Sequence, residues 1–416
     1  MPWRSPNLRS SMRSMINKTC PDCGVVSETP SVSRTDLVTM QNYIYRDRTR
    51  AENAPVGAFE LYFCRNCGLV FNAAFDQGLM TYDEGYTAYI SSPVFDDYYH
   101  ETAAFLNKKF DLTAGPVVDI ACGKGDFLTL LCDAYPGVRG LGIDPSYEGA
   151  DRENAGFIRD VFREEQIGEK PALVICRHAF DQIGNPPGFL SSIRRSLARH
   201  GETPFFIEVG DLQWMLENRS FADLCYERCS FFTSESLENI LRLAGFSVEK
   251  VDRAFGDQYI RAYGTVRPGD AAVPADELNF EDTGSIAESL VEYAAAEAGL
   301  VSEMKARLEA LKSEGHVIAV WGIATKGVVF CNLIDRRRTL IDHCIDISPQ
   351  KLNCFVPHTG HRISAPEALK RADSPPAAIV VMNPNYLGEI AGFCRDIGLN
   401  ASFLDANGRD LKSKRG

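Results

Sequence analysis

The run Val117-Val118-Asp119-Ile120-Ala121-Cys122-Gly123-Lys124-Gly125-Asp126-Phe127-Leu128 constrains this chain more than any other stretch. β-Branched residues lead into an acid, then a Gly-x-Gly turn, then an apolar run that opens a helix. The segment therefore predicts a strand–turn–helix unit. Its glycines supply backbone freedom and allow a ligand to approach the backbone closely at a helix N-terminus. A second short apolar strand, Gly140-Leu141-Gly142-Ile143, ends in Asp144. An acid at the tip of the second strand suits a grip on both hydroxyls of a ribose. The two units together predict an α/β chain that binds a nucleoside-containing cofactor at the carboxyl ends of a parallel sheet.

The dinucleotide fingerprint G-x-G-x-x-G is not met, because Ala121 stands at its first glycine and Asp126 at its third. The pattern Asp-x-Ala-x-Gly-x-Gly-x-Phe-Leu instead resembles motif I of class I S-adenosylmethionine methyltransferases. Downstream, Phe157-Ile158-Arg159-Asp160-Val161-Phe162 and Ala172-Leu173-Val174-Ile175-Cys176-Arg177-His178 continue that pattern. The resemblance implies S-adenosylmethionine as cofactor. It assigns Asp119, Ala121, Gly123, Gly125, Phe127, Asp144, Pro145, Asp160, Val161 and Arg177 to that cofactor's site, with Asp160 accepting from the adenine amino group. Residues 172–178 become the fourth strand, whose end faces the transferred methyl.

A length of 416 residues and a 45% hydrophobic share predict two or three domains with real cores. The formal charge of −12 argues against nucleic acid polymers and anionic membranes as partners. No apolar run reaches the roughly 18 residues of a membrane span. The first 18 residues carry Arg4, Arg9, Arg13, Lys18 and several serines without an acid, and read as a disordered tail or a transit peptide. Thirteen cysteines without a secretion signal point to a reducing compartment, the cytoplasm, where most are buried thiols.

Four cysteines stand apart. Cys20-Pro21-Asp22-Cys23-Gly24 and Cys64-Arg65-Asn66-Cys67-Gly68 are two C-x-x-C-G knuckles. Paired knuckles offer four soft ligands in a tetrahedral array, a closed structural zinc site. The long gap between the pairs calls for a small inserted hairpin. A redox C-x-x-C is the rival, but it does not come in pairs with trailing glycines.

The chain then divides into three parts: a zinc-stabilised unit over 1–95, a cofactor-binding unit over 96–268, and a third over 283–416. Arg267-Pro268-Gly269-Asp270 and an Ala/Pro/Asp-rich stretch separate the last two. Residues 286–311 read as a long amphipathic helix. Val317-Ile318-Ala319-Val320-Trp321-Gly322-Ile323-Ala324-Thr325-Lys326-Gly327 is a second strand–turn–helix unit, followed by apolar segments at 341–347 and 377–382. The third part is thus a second Rossmann-like domain. This three-part order resembles the sugar C-methyltransferases, which act on keto-deoxysugar nucleotides in bacterial secondary metabolism. The match extends to Trp321-Gly322-Ile323-Ala324-Thr325-Lys326-Gly327 with Asn332, to Asp346-Ile347-Ser348-Pro349-Gln350-Lys351, and to the tyrosine-rich Tyr82-Asp83-Glu84-Gly85-Tyr86-Thr87-Ala88-Tyr89. It implies a small-molecule acceptor, possibly a nucleotide sugar, contacted by Tyr86, Tyr89, Lys326 and Asn332. Tyr86 and Tyr89 read equally as core packing. Lys326 reads as touching a phosphate or capping a helix. Oligomeric state is not legible.

Two departures from that family bear on the chemistry. Its Tyr-His-Glu-His, whose last His is the base, appears here as Cys225-Tyr226-Glu227-Arg228. A guanidinium cannot act as a base at neutral pH. Its His-x-Leu-Glu-His appears as His178-Ala179-Phe180-Asp181-Gln182. Tyr226, Glu227 and His178 remain as bases, His178 equally as an orienting residue. Arg228 holds an anion or forms a surface ion pair. The expected segment 226–228 faces the methyl, with His178 on the opposite wall. An O- or N-methyltransferase is the alternative, and an NAD(P)-dependent oxidoreductase working through the C-terminal unit is the distant one.

Overall fold

The computed structural model describes residues 18–26, 30–87, 92–267, 283–371 and 374–412. The N-terminal tail reading and Tyr89 lie outside them. Three sheets organise the described residues. The first contains β1 (Pro30–Val38), β2 (Val56–Phe63) and β3 (Val70–Asn72), all antiparallel. Between β1 and β2 lies a short helix, Arg48–Glu52, so the inserted hairpin expected between the zinc knuckles is present.

The second sheet holds β4 (Pro116–Ile120), β5 (Arg139–Ile143), β6 (Ala155–Ile158), β7 (Leu173–Arg177) and β8 (Thr203–Gly210), all parallel. A two-residue strand, β9 (Ser230–Phe231), leaves this region and adds to β3 as the fourth strand of the first sheet. The antiparallel pair β10 (Phe246–Ala254) and β11 (Tyr259–Val266) completes the second sheet in the order β10-β11-β8-β7-β4-β5-β6. The fully buried pattern of β4 and β7 is what a parallel strand covered on both faces requires.

The third sheet runs β14-β13-β12-β15-β16-β17. Its strands are β12 (Ile318–Trp321), β13 (His343–Ile345), β14 (Ile363–Ser364), β15 (Ala378–Val381), β16 (Ser402–Leu404) and β17 (Asp410–Leu411), parallel except for the last. The long helix spans Thr283–Ser313. Its Ile286, Leu290, Tyr293, Met304 and Leu308 are buried in a cluster that also takes residues from β1–β3, the 212–231 segment and the third sheet. In both α/β sheets the strand order reverses beside the first strand, β4 or β12. The carboxyl ends at such a switch point form the crevice where these folds bind ligands.

Candidate active site

A cavity of about 550 Å³ lies between the second and third sheets and is lined from both. On one side are Ala121, Cys122, Gly123, Lys124, Asp144 and Pro145; on the other are Trp321, Gly322, Thr325, Lys326 and Asp346. The first wall is built by the turn after β4. Gly123 and Gly125 take φ of +59° and +78°, and Ala121 takes +59°. A Cβ at Gly123 would meet no atom within 4 Å, so the backbone there presents an open cradle. At Gly125 a Cβ would fall 2.5 Å from the Phe157 ring, so only glycine fits beneath the turn. Asp144 Oδ2 accepts from Gly123 N at 2.9 Å, and Oδ1 accepts from Ser146 N and Oγ at 2.7 and 2.6 Å. Oδ2 keeps one acceptor position unused among these bonds, and Asp144 lines the cavity. These residues fit an S-adenosylmethionine nucleoside, with open backbone and an aligned acid.

Other expected cofactor residues lie around this cradle in different ways. Pro145 and Arg177 line the cavity, as does Val161, which is 55% exposed. Asp119, Gly125 and Phe127 lie behind the lining. Burial pushes Asp119 up to about 7, against the pull of Arg177. Phe127 carries the Arg177 guanidinium 4.1 Å from its ring centroid. Asp160 binds its neighbour Val161 N and the Arg163 side chain, and is absent from the lining.

His178 stands on the same side, at the end of β7 beside β4, where it adopts φ +55° and lines the cavity. Its Nε2 lies 2.8 Å from Glu208 Oε1 on β8. Glu208 is fully buried and also receives Arg177 Nη2 at 2.8 Å and the Tyr98 hydroxyl. Burial alone would raise the Glu208 carboxyl, but Arg177 and His178 hold it down to about 2. A carboxylate acceptor on Nε2 leaves Nδ1 as the basic ring nitrogen.

The segment expected to face the methyl is split by the fold. Arg228 lines the cavity, with Nε 3.0 Å from Asp181 Oδ2 and Nη1 3.0 Å from the Asp223 carbonyl. It is an ion pair, but one inside the cleft. Glu227 sits behind the cavity-lining Asn42, whose N and Nδ2 donate to its two oxygens at 2.9 and 3.1 Å. Burial pushes Glu227 up to about 7. The expectation for Tyr226 is corrected: its side chain is fully buried against Gly57 and Phe75, with its hydroxyl accepting from Asp76 N at 2.9 Å, and it does not line the cavity.

Of the expected acceptor contacts, Tyr86 and Lys326 line the cavity. Tyr86 packs edge-on to Tyr82, 5.0 Å between centroids. Lys326 neither caps its helix nor stands free, since its Nζ lies 2.9 Å from Asp223 Oδ2 and 3.2 Å from Gln258 Oε1. Asn332 is a second correction. It is buried in the helix Thr325–Ile334, where its Nδ2 donates to the Val328 and Pro357 carbonyls, remote from the lining. Sequence reading passed over Asn42, Tyr82, Asp223, Tyr259, Tyr386 and Glu389, which all line the cavity. It also passed over Asp181, whose Oδ1 is buried without a hydrogen-bond partner among the described residues. Asp181 stands inside the stretch His178–Gln182, Tyr82 opens the tyrosine-rich segment, and Asp223 lies two residues before Cys225, so motifs brought these three within reach. Asn42, Tyr259, Tyr386 and Glu389 come from segments that carry no motif.

The four knuckle cysteines converge as expected. Cys20 and Cys67 Sγ lie 3.6 Å apart, Cys23 and Cys64 Sγ 3.4 Å, and all four within 4.8 Å of one another. Gly24 and Gly68 take φ of +75° and +77° and close each knuckle by donating to Cys20 O and Cys64 O. Sulfur ligands on tetrahedral zinc stand about 3.8 Å apart. The set is compatible with a structural zinc and leaves no open position for substrate. Among the described residues no helix is long and apolar enough to cross a membrane.

Comparison with known proteins agrees with this geometry. Residues 93–251 match a methyltransferase domain family and residues 281–399 match a C-methyltransferase C-terminal domain family. The C-methyltransferase NovU of Streptomyces niveus is 26% identical over 322 residues, 73% of each chain. Among solved structures, the complex of the Haloferax volcanii Trm112 methyltransferase activator with a methyltransferase aligns at a TM-score of 0.35 and 18% identity, covering 43% of this chain and 93% of that one. The Burkholderia thailandensis 1,6-didemethyltoxoflavin-N1-methyltransferase aligns at 0.32 and 18%, covering 43% and 82%. Nothing among these matches supports an oxidoreductase.

Proposed function

We propose that this chain, which belongs to the S-adenosylmethionine-dependent C-methyltransferases, methylates the carbon beside a ketone in a nucleotide sugar, with His178 as the base. The observation that carries this reading is the His178–Glu208 pair on the wall of a cavity shared by two nucleotide-type turns. S-Adenosylmethionine, when bound against the 121–124 turn and Asp144, supplies an electrophilic methyl group.

His178 Nδ1 takes the proton α to the ketone, and the ionised Glu208 stabilises the imidazolium that results. Arg228 cannot take that proton. Fixed by Asp181 and Asp223, it polarises the ketone oxygen as negative charge develops there. The nucleotide half occupies the third sheet's end of the cavity. There Asp346, at the tip of β13, repeats the placement of Asp144, and the helix Thr325–Ile334 starts without a side-chain cap. On this reading residues 1–95 brace the cleft, 96–268 carry the cofactor and 283–416 hold the acceptor's nucleotide. The volume suits a small-molecule acceptor.

Replacement of the family's base His by Arg228 favours one second reading, in which a hydroxyl or amine of the acceptor attacks directly. Incubating the protein in D₂O with nucleoside-diphosphate keto-deoxysugars, without cofactor, separates the two. Carbon methylation predicts deuterium at the carbon beside the ketone, slowed at least about a hundredfold by His178→Ala. No exchange with any sugar that the protein demonstrably binds sinks the carbon reading.

A further inference from the structure

Beyond the knuckle site, Cys331, Cys344 and His361 bring two thiols and an imidazole nitrogen within 4.8 Å of one another. They come from three places: the last turns of the helix Thr325–Ile334, the middle of β13, and the loop before β14. Asp335, at the C-terminal end of that helix, adjoins them. All four are buried, at 0, 2, 6 and 2% exposure for Cys331, Cys344, His361 and Asp335.

Cys331 and Cys344 Sγ are 3.9 Å apart. With metal–sulfur bonds of about 2.3 Å, the sulfur–sulfur edge of a tetrahedron is about 3.8 Å, and the pair matches it. A ligating imidazole is ordinarily held by an outer hydrogen bond, often to a carboxylate. His361 has such a partner: its Nε2 lies 3.3 Å from Asp335 Oδ2, which also accepts from the amides of Leu340 and Ile341 at 2.9 and 2.8 Å. Its Nδ1 lies 2.9 Å from Thr359 Oγ1.

We propose that Cys331, Cys344 and His361 hold a second zinc ion in the C-terminal domain, with Asp335 orienting His361. None of these residues lines the cavity, so the ion takes no part in methyl transfer. Its place gives it a structural role: it ties the end of the helix whose first turn carries Thr325 and Lys326 into the cavity to the strand whose tip carries Asp346. The inference does not rest on the identity of the acceptor.

Elemental analysis of the full-length chain, expressed with zinc, tests it. Two zinc ions per chain are expected, with one lost in Cys331→Ser and in Cys344→Ser. Should those variants fail to fold, the Cys20→Ser/Cys64→Ser chain leaves the C-terminal domain untouched and should keep one zinc. Reconstituted with cobalt, it should show thiolate-to-cobalt absorption. A Cys20→Ser/Cys64→Ser chain free of metal, zinc content unchanged by Cys331→Ser, or a Cys331–Cys344 disulfide in the mass spectrum overturns the proposal.

Discussion

Asp144 and Glu227 show how single carboxylates divide the work around this cavity. Asp144 is oriented by Gly123 and Ser146 and turned toward the cofactor cradle. Asp144→Ala should therefore weaken S-adenosylmethionine binding by roughly 1.5–3 kcal/mol, the range of a charge-assisted hydrogen bond, as calorimetry can read. Glu227 is buried with its carboxyl pushed up to about 7, above the usual 4.5. Between those values the folded protein binds more protons than the unfolded one. Glu227 thus costs stability as pH rises from 4.5 to about 7. Denaturant melts of Glu227→Gln should lose part of that fall, on the order of 1–3 kcal/mol; a pH dependence identical to wild type would show that Glu227 is not the group responsible. At this scale the sequence was legible where chemistry is local, as in Asp144 after its strand. It was opaque where partners are distant. Arg228 follows Glu227 in the sequence, yet its partners Asp181 and Asp223 are what hold it in the cleft. Tyr226 occupies a catalytic register, but the missing Cβ of Gly57 makes room for its ring inside the first sheet.

The turn after β4 and the paired knuckles are the elements that most clearly specify themselves. Gly125 combines φ +78° with a wall of Phe157 and Tyr147, whose rings stack at 4.0 Å. Gly125→Ala should cost about 1–2 kcal/mol for the left-handed backbone alone, with the ring clash in addition. It should lower both the melting temperature and cofactor affinity; an unchanged melting temperature would contradict the turn geometry. Stripping metal from the knuckles should raise amide exchange across β1–β3 first, because structural zinc stabilises its own small unit. Uniform loosening of β4–β8 at the same rate would contradict that. These elements were readable because glycine and cysteine spacing states backbone geometry directly. The strand β9 was not. Ser230-Phe231 carries no signal of its own, and only the exposed edge of β3 explains why it pairs there.

The cleft belongs to the whole molecule. Asn42 reaches Thr325 at 2.8 Å, Lys326 reaches Asp223 at 2.9 Å, Ser92 reaches Glu389 at 2.7 Å, and Gln258 reaches Asn383 at 2.8 Å. Each contact crosses between segments far apart in sequence and holds the third sheet against the other two. Two strand–turn–helix units could be found by periodicity, but their opposition across one cavity is a tertiary fact that no local pattern encodes. The proposed transfer of a methyl group from S-adenosylmethionine to a sugar carbon in this shared cavity can be followed directly. S-Adenosylmethionine labelled with ¹³C at its methyl is supplied with nucleoside-diphosphate keto-deoxysugars, and the label is located by NMR. A labelled methyl bonded to the carbon beside the ketone is expected; a label found on oxygen or nitrogen, or no transfer to any keto-sugar that the protein binds, would contradict the proposed reaction.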